Sequence, residues 1–149
     1  ASLGGRRDRV LWVPRMAKQR YFQLIGLAAA VLDTTCFSGA NTTLQALGLG
    51  VPVVTLPGEF VRGRMTLGWL REGGLMEMCA TDAADYARIA ARLGRDPVWR
   101  QALVDRIRAA APLLFDRHEV VAEIQDFLTR AVDAAAEGRP RITWDNRDG

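Results

Sequence analysis

A chain of 149 residues with 49% hydrophobic and 25% charged side chains has the ordinary balance of a single globular domain. Its net charge of +3 is small and its arginines are scattered rather than gathered into a stripe, which argues against a nucleic-acid partner. No apolar run reaches the ~20 residues needed to cross a bilayer, so the chain reads as cytoplasmic, with no membrane contact.

The first apolar run, Val10, Leu11, Trp12 and Val13 within residues 9–13, stops at Pro14 and predicts a short buried strand. Pro14, Arg15 and Lys18 interrupt any signal-peptide core. Tyr21, Phe22, Leu24, Ile25 and Ala28 recur at helical spacing and predict a helix over 17–27. Ala30, Val31 and Leu32 form a second strand ending at Asp33, followed by a loop of small and polar residues over 34–40. Asn41, Thr42 and Thr43 supply cap-forming side chains for a helix closed by Gly48 and Gly50. A third strand covers 51–56, rich in β-branched residues, with Pro52 in its first turn and Pro57 and Gly58 as its stop.

Beyond that point the pattern is mostly helical. One helix is expected over 60–72, broken by Gly73 and Gly74, and a fourth short strand over 75–79. Asp82 caps a helix running through Leu93, and Asp96 with Pro97 starts another. A break at 112–116 precedes an amphipathic helix over 118–136, and a loose polar tail follows from Glu137, carrying Ile142 and Trp144. Short strands alternating with helices predict an α/β domain, a Rossmann-like parallel sheet flanked by helices. Such sheets bind ligands at their strand C-termini, here 14–18, 33–41 and 56–59.

Three segments on that edge have chemical potential. In the first, Ser38, Gly39, Ala40, Asn41, Thr42 and Thr43 open a helix directly after a strand. Unpartnered first-turn amides and the helix dipole suit an anion there, although a plain helix cap is the commoner reason for such residues. In the second, Lys18 is placed to offset phosphate charge, and Tyr21, one turn on, to stack on a base. A surface lysine and a core tyrosine explain the same pattern more simply. The third holds Glu59, Arg62 and Arg64. Cys36 and Cys79 lie too far apart for a CxxC motif, and His118 completes no zinc set. No catalytic residue and no metal ligand can be named, since no nucleophile–base order or paired carboxylate assembles.

Taken together, Lys18 after a strand, Asp33 and Thr34 leading to 39–43, then Gly50 to Glu59 with Arg64, resemble the C-terminal catalytic lobe of protein O-GlcNAc transferases and their SPINDLY-like relatives. Pro112, Leu113, Leu114, Phe115 and Asp116 resemble the break before that family's last helix. The resemblance covers about residues 9–132 and is most specific over 33–64.

It implies the C-terminal half of a GT-B glycosyltransferase fold, incomplete at its N-terminus. Residues 1–8 would then be the remnant of a preceding helix, 9–136 a nucleotide-sugar-binding lobe and 137–149 the tail. It also implies a UDP-sugar as donor substrate, UDP-GlcNAc first, with no cofactor and no metal. In the family, the lysine at the position of Lys18 contacts the diphosphate, backbone at Met16 meets the uracil, and the residue at Tyr21, commonly histidine, stacks beside the nucleoside. Positions 40, 41 and 42 (Ala40, Asn41 and Thr42) hold the phosphates at the turn shared with Gly39 and Thr43, and the position of Gln45 is an acidic ribose contact. Tyrosine at 21 and glutamine at 45 depart from the pattern, and related members use GDP-fucose or UDP-glucose. The family's acceptor lobe and catalytic lysine are missing, so the expected partners are a protein acceptor and a missing N-terminal lobe or partner chain. The competing expectation is a non-catalytic interaction or regulatory module retaining the fold.

Overall fold

The computed structural model describes residues 8–139 and 142–143. Helical spacing in the sequence becomes α1 (Lys18–Gly26), within one residue of its expected ends, and α2 (Asn41–Gly48). Between and after them lie β1 (Val31–Leu32) and β2 (Val53–Val54), which pair in parallel with Val31 opposite Val53 and Leu32 opposite Val54. Pro52 has no N–H to give, but its carbonyl accepts from the Val31 amide at 2.8 Å, so the proline costs the ladder nothing.

The rest is helical: α3 (Met65–Glu72), α4 (Ala83–Arg95), α5 (Pro97–Leu114) and α6 (His118–Ala136). Glycines end α2 and α3 by one mechanism. Gly50 and Gly74 adopt φ of 75° and 64°, where a side chain would strain the backbone. The next residues then donate back into the last turn, Val51 to the Ala46 carbonyl and Leu75 to that of Leu70.

Three expected elements differ. The run 9–13 is not a strand: Leu11 is 85% and Trp12 92% exposed. A strand takes its hydrogen bonds from a neighbour, and among the described residues none lies beside this run, so the apolar pattern has nothing to pair with. Among the described residues the expected sheet is accordingly two strands wide, extended by a parallel bridge between Thr55 and Cys79. The segment 75–79 meets it only at that end, because Met76–Met78 coil into a 3-10 turn that buries Met78 and leaves Glu77 outside for Arg106. The helix expected over 60–72 is split into a 3-10 turn, Val61–Gly63, and α3. Gly63 packs so closely on the backbone of Thr35 that a Cβ would come within 3.2 Å of its carbonyl.

The break expected at 112–116 is shorter, since α5 carries Pro112 and continues to Leu114; Asp116, at φ 56°, then turns the chain into α6. The core lies where α2, β2, α4 and α5 meet, with Ala46, Val53, Val54, Leu93 and Ile107 wholly buried. Each large apolar side chain buried there contributes about 1.5–3 kcal/mol. By contrast, Val121, Ile124, Leu128 and Val132 of α6 remain about half exposed or more. Trp144 lies outside the described residues, as do 1–7 of the expected N-terminal remnant and most of the tail.

Candidate functional site

Both α1 and α2 begin without a side-chain cap, from Ala17 and Ala40 respectively. A helix start leaves its first amides without intrahelical acceptors, so the first-turn N–H groups of Asn41 and Thr42 are donors without a local cap on an exposed surface. Lys18, the first residue of α1, is also exposed, and its Nζ lies 5.4 Å from the centre of the Phe22 ring. Phe22 in turn lines an apolar groove of about 370 Å³ with Asn41, Leu44, Gln45, Gly48, Leu49 and Phe115. Phe22 is therefore the shared neighbour that brings Lys18, Asn41 and Gln45 to one place. Its position one turn after Lys18 was visible in the sequence, but nothing there showed that it faces α2.

Met16 and Tyr21 belong to a second hollow, of about 330 Å³, with Val13, Pro14, Arg15 and Leu24. Tyr21 also packs on the core, its ring centre 6.2 Å from that of Phe22, so its core role and its place at a surface hollow coexist. The third segment forms its own hollow of about 280 Å³, lined by Thr35, Cys36, Gly58, Glu59, Phe60, Arg62 and Gly63. Arg62 stacks over the Phe60 ring at 4.8 Å, a surface pair. Gly58 donates to the Gly63 carbonyl and Ser38 to that of Arg62, which stitches this loop to the one before α2.

Gly39 and Thr43 have internal partners instead of open ones. The Gly39 amide donates to Asp33 Oδ1 at 2.7 Å, and the buried Thr43 hydroxyl reaches the Gly39 carbonyl and Thr66 Oγ1. Of the amides expected to form a cradle over 39–43, Gly39's is therefore committed, and the uncapped donors of α2 begin at Asn41.

The centre of this polar cluster is Asp33, which the sequence placed at a strand end and in the family-like motif without giving its side chain a role. It is 7% exposed and accepts from Ser38 Oγ and Thr55 Oγ1 at 2.7 Å each, in addition to Gly39. Its own carbonyl accepts from the Tyr86 hydroxyl at 2.7 Å. Burial, then the nearby Asp33 charge, pushes the Tyr86 phenol above its usual range, which keeps that donor protonated. The available signal was Thr55, a hydroxyl in an otherwise apolar strand, which needs a buried acceptor. Among the described residues no group of His, Cys, Asp and Glu clusters as metal ligands would, and no helix is long and apolar enough to cross a membrane.

Comparison with known proteins gives the family. The model of glycosyl transferase family 41 matches residues 1–124. A Caenorhabditis elegans protein named UDP-N-acetylglucosamine–peptide N-acetylglucosaminyltransferase is 28% identical over 135 residues, covering 89% of this chain and 12% of that protein. A Petunia hybrida protein named as a probable enzyme of the same kind, SPINDLY, is 30% identical over 96 residues, 64% of this chain and 10% of its own length. Among solved structures, a mutant O-GlcNAc transferase of Thermobaculum terrenum superposes with a TM-score of 0.75 at 33% identity, over 83% of this chain and 24% of that one. The chain thus spans about a tenth of these curated relatives and about a quarter of the solved one.

Proposed function

The chain belongs to glycosyl transferase family 41, and from that footing we propose that it is the donor-binding part of a protein glycosyltransferase, the C-terminal half of a GT-B fold with a Rossmann-like sheet. In this reading residues 9–136 form the lobe and UDP-GlcNAc is the first donor to test. The observation that carries it is the start of α2: amides of Asn41 and Thr42 that no side chain caps, beside a groove lined by Phe22, over whose ring Lys18 lies.

The chemistry follows from charge. When an acceptor hydroxyl attacks the anomeric carbon, negative charge develops on the departing diphosphate, and preorganised donors aimed at it lower the barrier. Amides at a helix start and a lysine supply such donors. The sequence holds no Asp-x-Asp pair to carry a metal, so Lys18 and α2 take that part. Met16 and Tyr21 hold the base, Gln45 a ribose hydroxyl, and Ala40, Asn41 and Thr42 the phosphates. Gly39 and Thr43 shape the turn. The acceptor-binding lobe, a catalytic residue and the protein substrate come from outside residues 9–136.

Isothermal calorimetry tests this. UDP binds saturably, and Lys18→Ala weakens it about tenfold or more, as expected for losing a charge-assisted bond of about 1.5–3 kcal/mol. Thr42→Ala weakens it by about threefold to tenfold, the range of a neutral hydroxyl contact of about 0.5–1.5 kcal/mol. A folded chain without affinity for UDP or GDP at millimolar concentration refutes the proposal and leaves the non-catalytic module.

A further inference from the structure

We infer that Asp33 is a positioning residue for the donor's diphosphate, acting through the Gly39 peptide rather than by touching the ligand. The inference rests on the donor-binding reading above. Its basis is the direction of the hydrogen bonds. A hydroxyl has one proton to give, and one assignment uses each once. Ser38 and Thr55 donate to Asp33 Oδ2, the Thr66 amide donates to Ser38 Oγ at 3.0 Å, and Thr66 Oγ1 donates to the Gly39 carbonyl at 3.1 Å. Thr43 Oγ1 lies 2.8 Å from Thr66 Oγ1, so the two hydroxyls hold the Gly39 carbonyl together.

The residue before the α2 cap is therefore held on both sides, its N–H by a carboxylate and its C=O by threonine. There is also no room for a side chain: a Cβ at Gly39 would lie 2.7 Å from both Thr42 Oγ1 and Thr43 Oγ1. The clamp draws on five stretches of the chain: β1's end, the loop before α2, the first turn of α2, β2's end and the start of α3.

What matters is which amide the carboxylate takes. Asp82 and Asp96 each accept from the third residue of their own helix, Asp85 and Trp99, and so close those helix starts. Asp33 accepts from Gly39, two residues before the first residue of α2, and leaves the helix's first amides unspent while fixing the angle at which they face outward. A buried carboxylate with three donors needs no ligand to be stable. Its placement one step short of capping is what makes it serve one.

The experiment titrates UDP, inorganic pyrophosphate and uridine separately, followed by NMR, into the wild-type chain and variants. Asp33→Ala is expected to weaken UDP and pyrophosphate tenfold or more and leave uridine within twofold. Asp33→Asn, which keeps an oxygen for the Gly39 amide while the Ser38 and Thr55 hydroxyls rotate, retains pyrophosphate within about threefold. Leu47→Ala, a core change in α2 itself, lowers the unfolding midpoint but leaves pyrophosphate affinity of the folded chain unchanged. If Asp33→Ala does not fold, Ser38→Ala serves in its place, with an expected pyrophosphate loss of threefold or more. Normal pyrophosphate binding by the alanine variant, or an equal fall for all three probes, overturns the positioning role alone. Absence of any binding by the wild type sinks the donor-binding reading and this inference with it.

Discussion

Two pairs of helices in this chain solve the problem of their first turn differently. α4 and α5 are capped from within, by Asp82 and Asp96, each three residues from the amide it accepts. α1 and α2 are not capped at all, and the nearest carboxylate to α2 is spent on Gly39. α4 and α5 are self-sufficient, whereas α1 and α2 are open toward solvent. Helices whose ends are closed locally belong to the scaffold. Helices whose ends are left open beside a lysine and a groove are where a ligand's charge would complete the structure.

The sharpest way to break this comparison is at Gly39. Gly39→Val forces a side chain onto Thr42 and Thr43 and is expected to cost about 1–3 kcal/mol of stability, as overpacking does, together with loss of UDP binding by more than tenfold. Urea unfolding and calorimetry on the same sample measure both, and a valine chain that binds as the wild type would show the turn to be irrelevant. Next in size is the mirror experiment in the scaffold. Asp96→Ala removes a cap and is expected to cost about 1 kcal/mol with UDP affinity unchanged. A change in affinity would mean that the two regions are not separable.

The smallest effect is on acid stability. Arg106 hydrogen-bonds Glu77, backbone amides hold Asp85 and Asp96, and Arg117 holds Glu119, each carboxyl sitting below its usual range. A depressed folded-state pKa adds stability above the unfolded value of about 3.9–4.3 and loses it as pH falls through the folded value. All four lie after residue 75, so thermal midpoints should drop modestly below about pH 4, with the helical half exchanging its amides first. Exchange beginning at 33–43 instead would place the weaker region on the other side of the comparison.

What could be read in the chain before its folding was whatever depends on near neighbours. The caps at Asp82 and Asp96, the stops at Gly50 and Gly74 and the span of α6 all follow from residues within one or two turns, and they stand where the pattern put them. The resemblance carried by short contiguous motifs also led to the family whose model matches residues 1–124. The run 9–13 misled because an apolar pattern specifies a strand only when a partner strand exists, and that partner is a tertiary matter. The 3-10 turns at 61–63 and 76–78 likewise follow from contacts with Thr35 and with the core.

The candidate site divides along the same line. Its residue types, the lysine after a proline-terminated run and the small residues opening a helix, were legible because they are adjacent in sequence. The network that orients them was not. Asp33 meets Thr55 across 22 residues, and Ser38 meets Thr66 across 28. Spacing settled the spans of α1 and α6 and which loop opens α2. Only folding decided that Asp33 would take Gly39's amide and leave the next ones free, because a hydrogen bond depends on where atoms meet in space and the sequence records only their order.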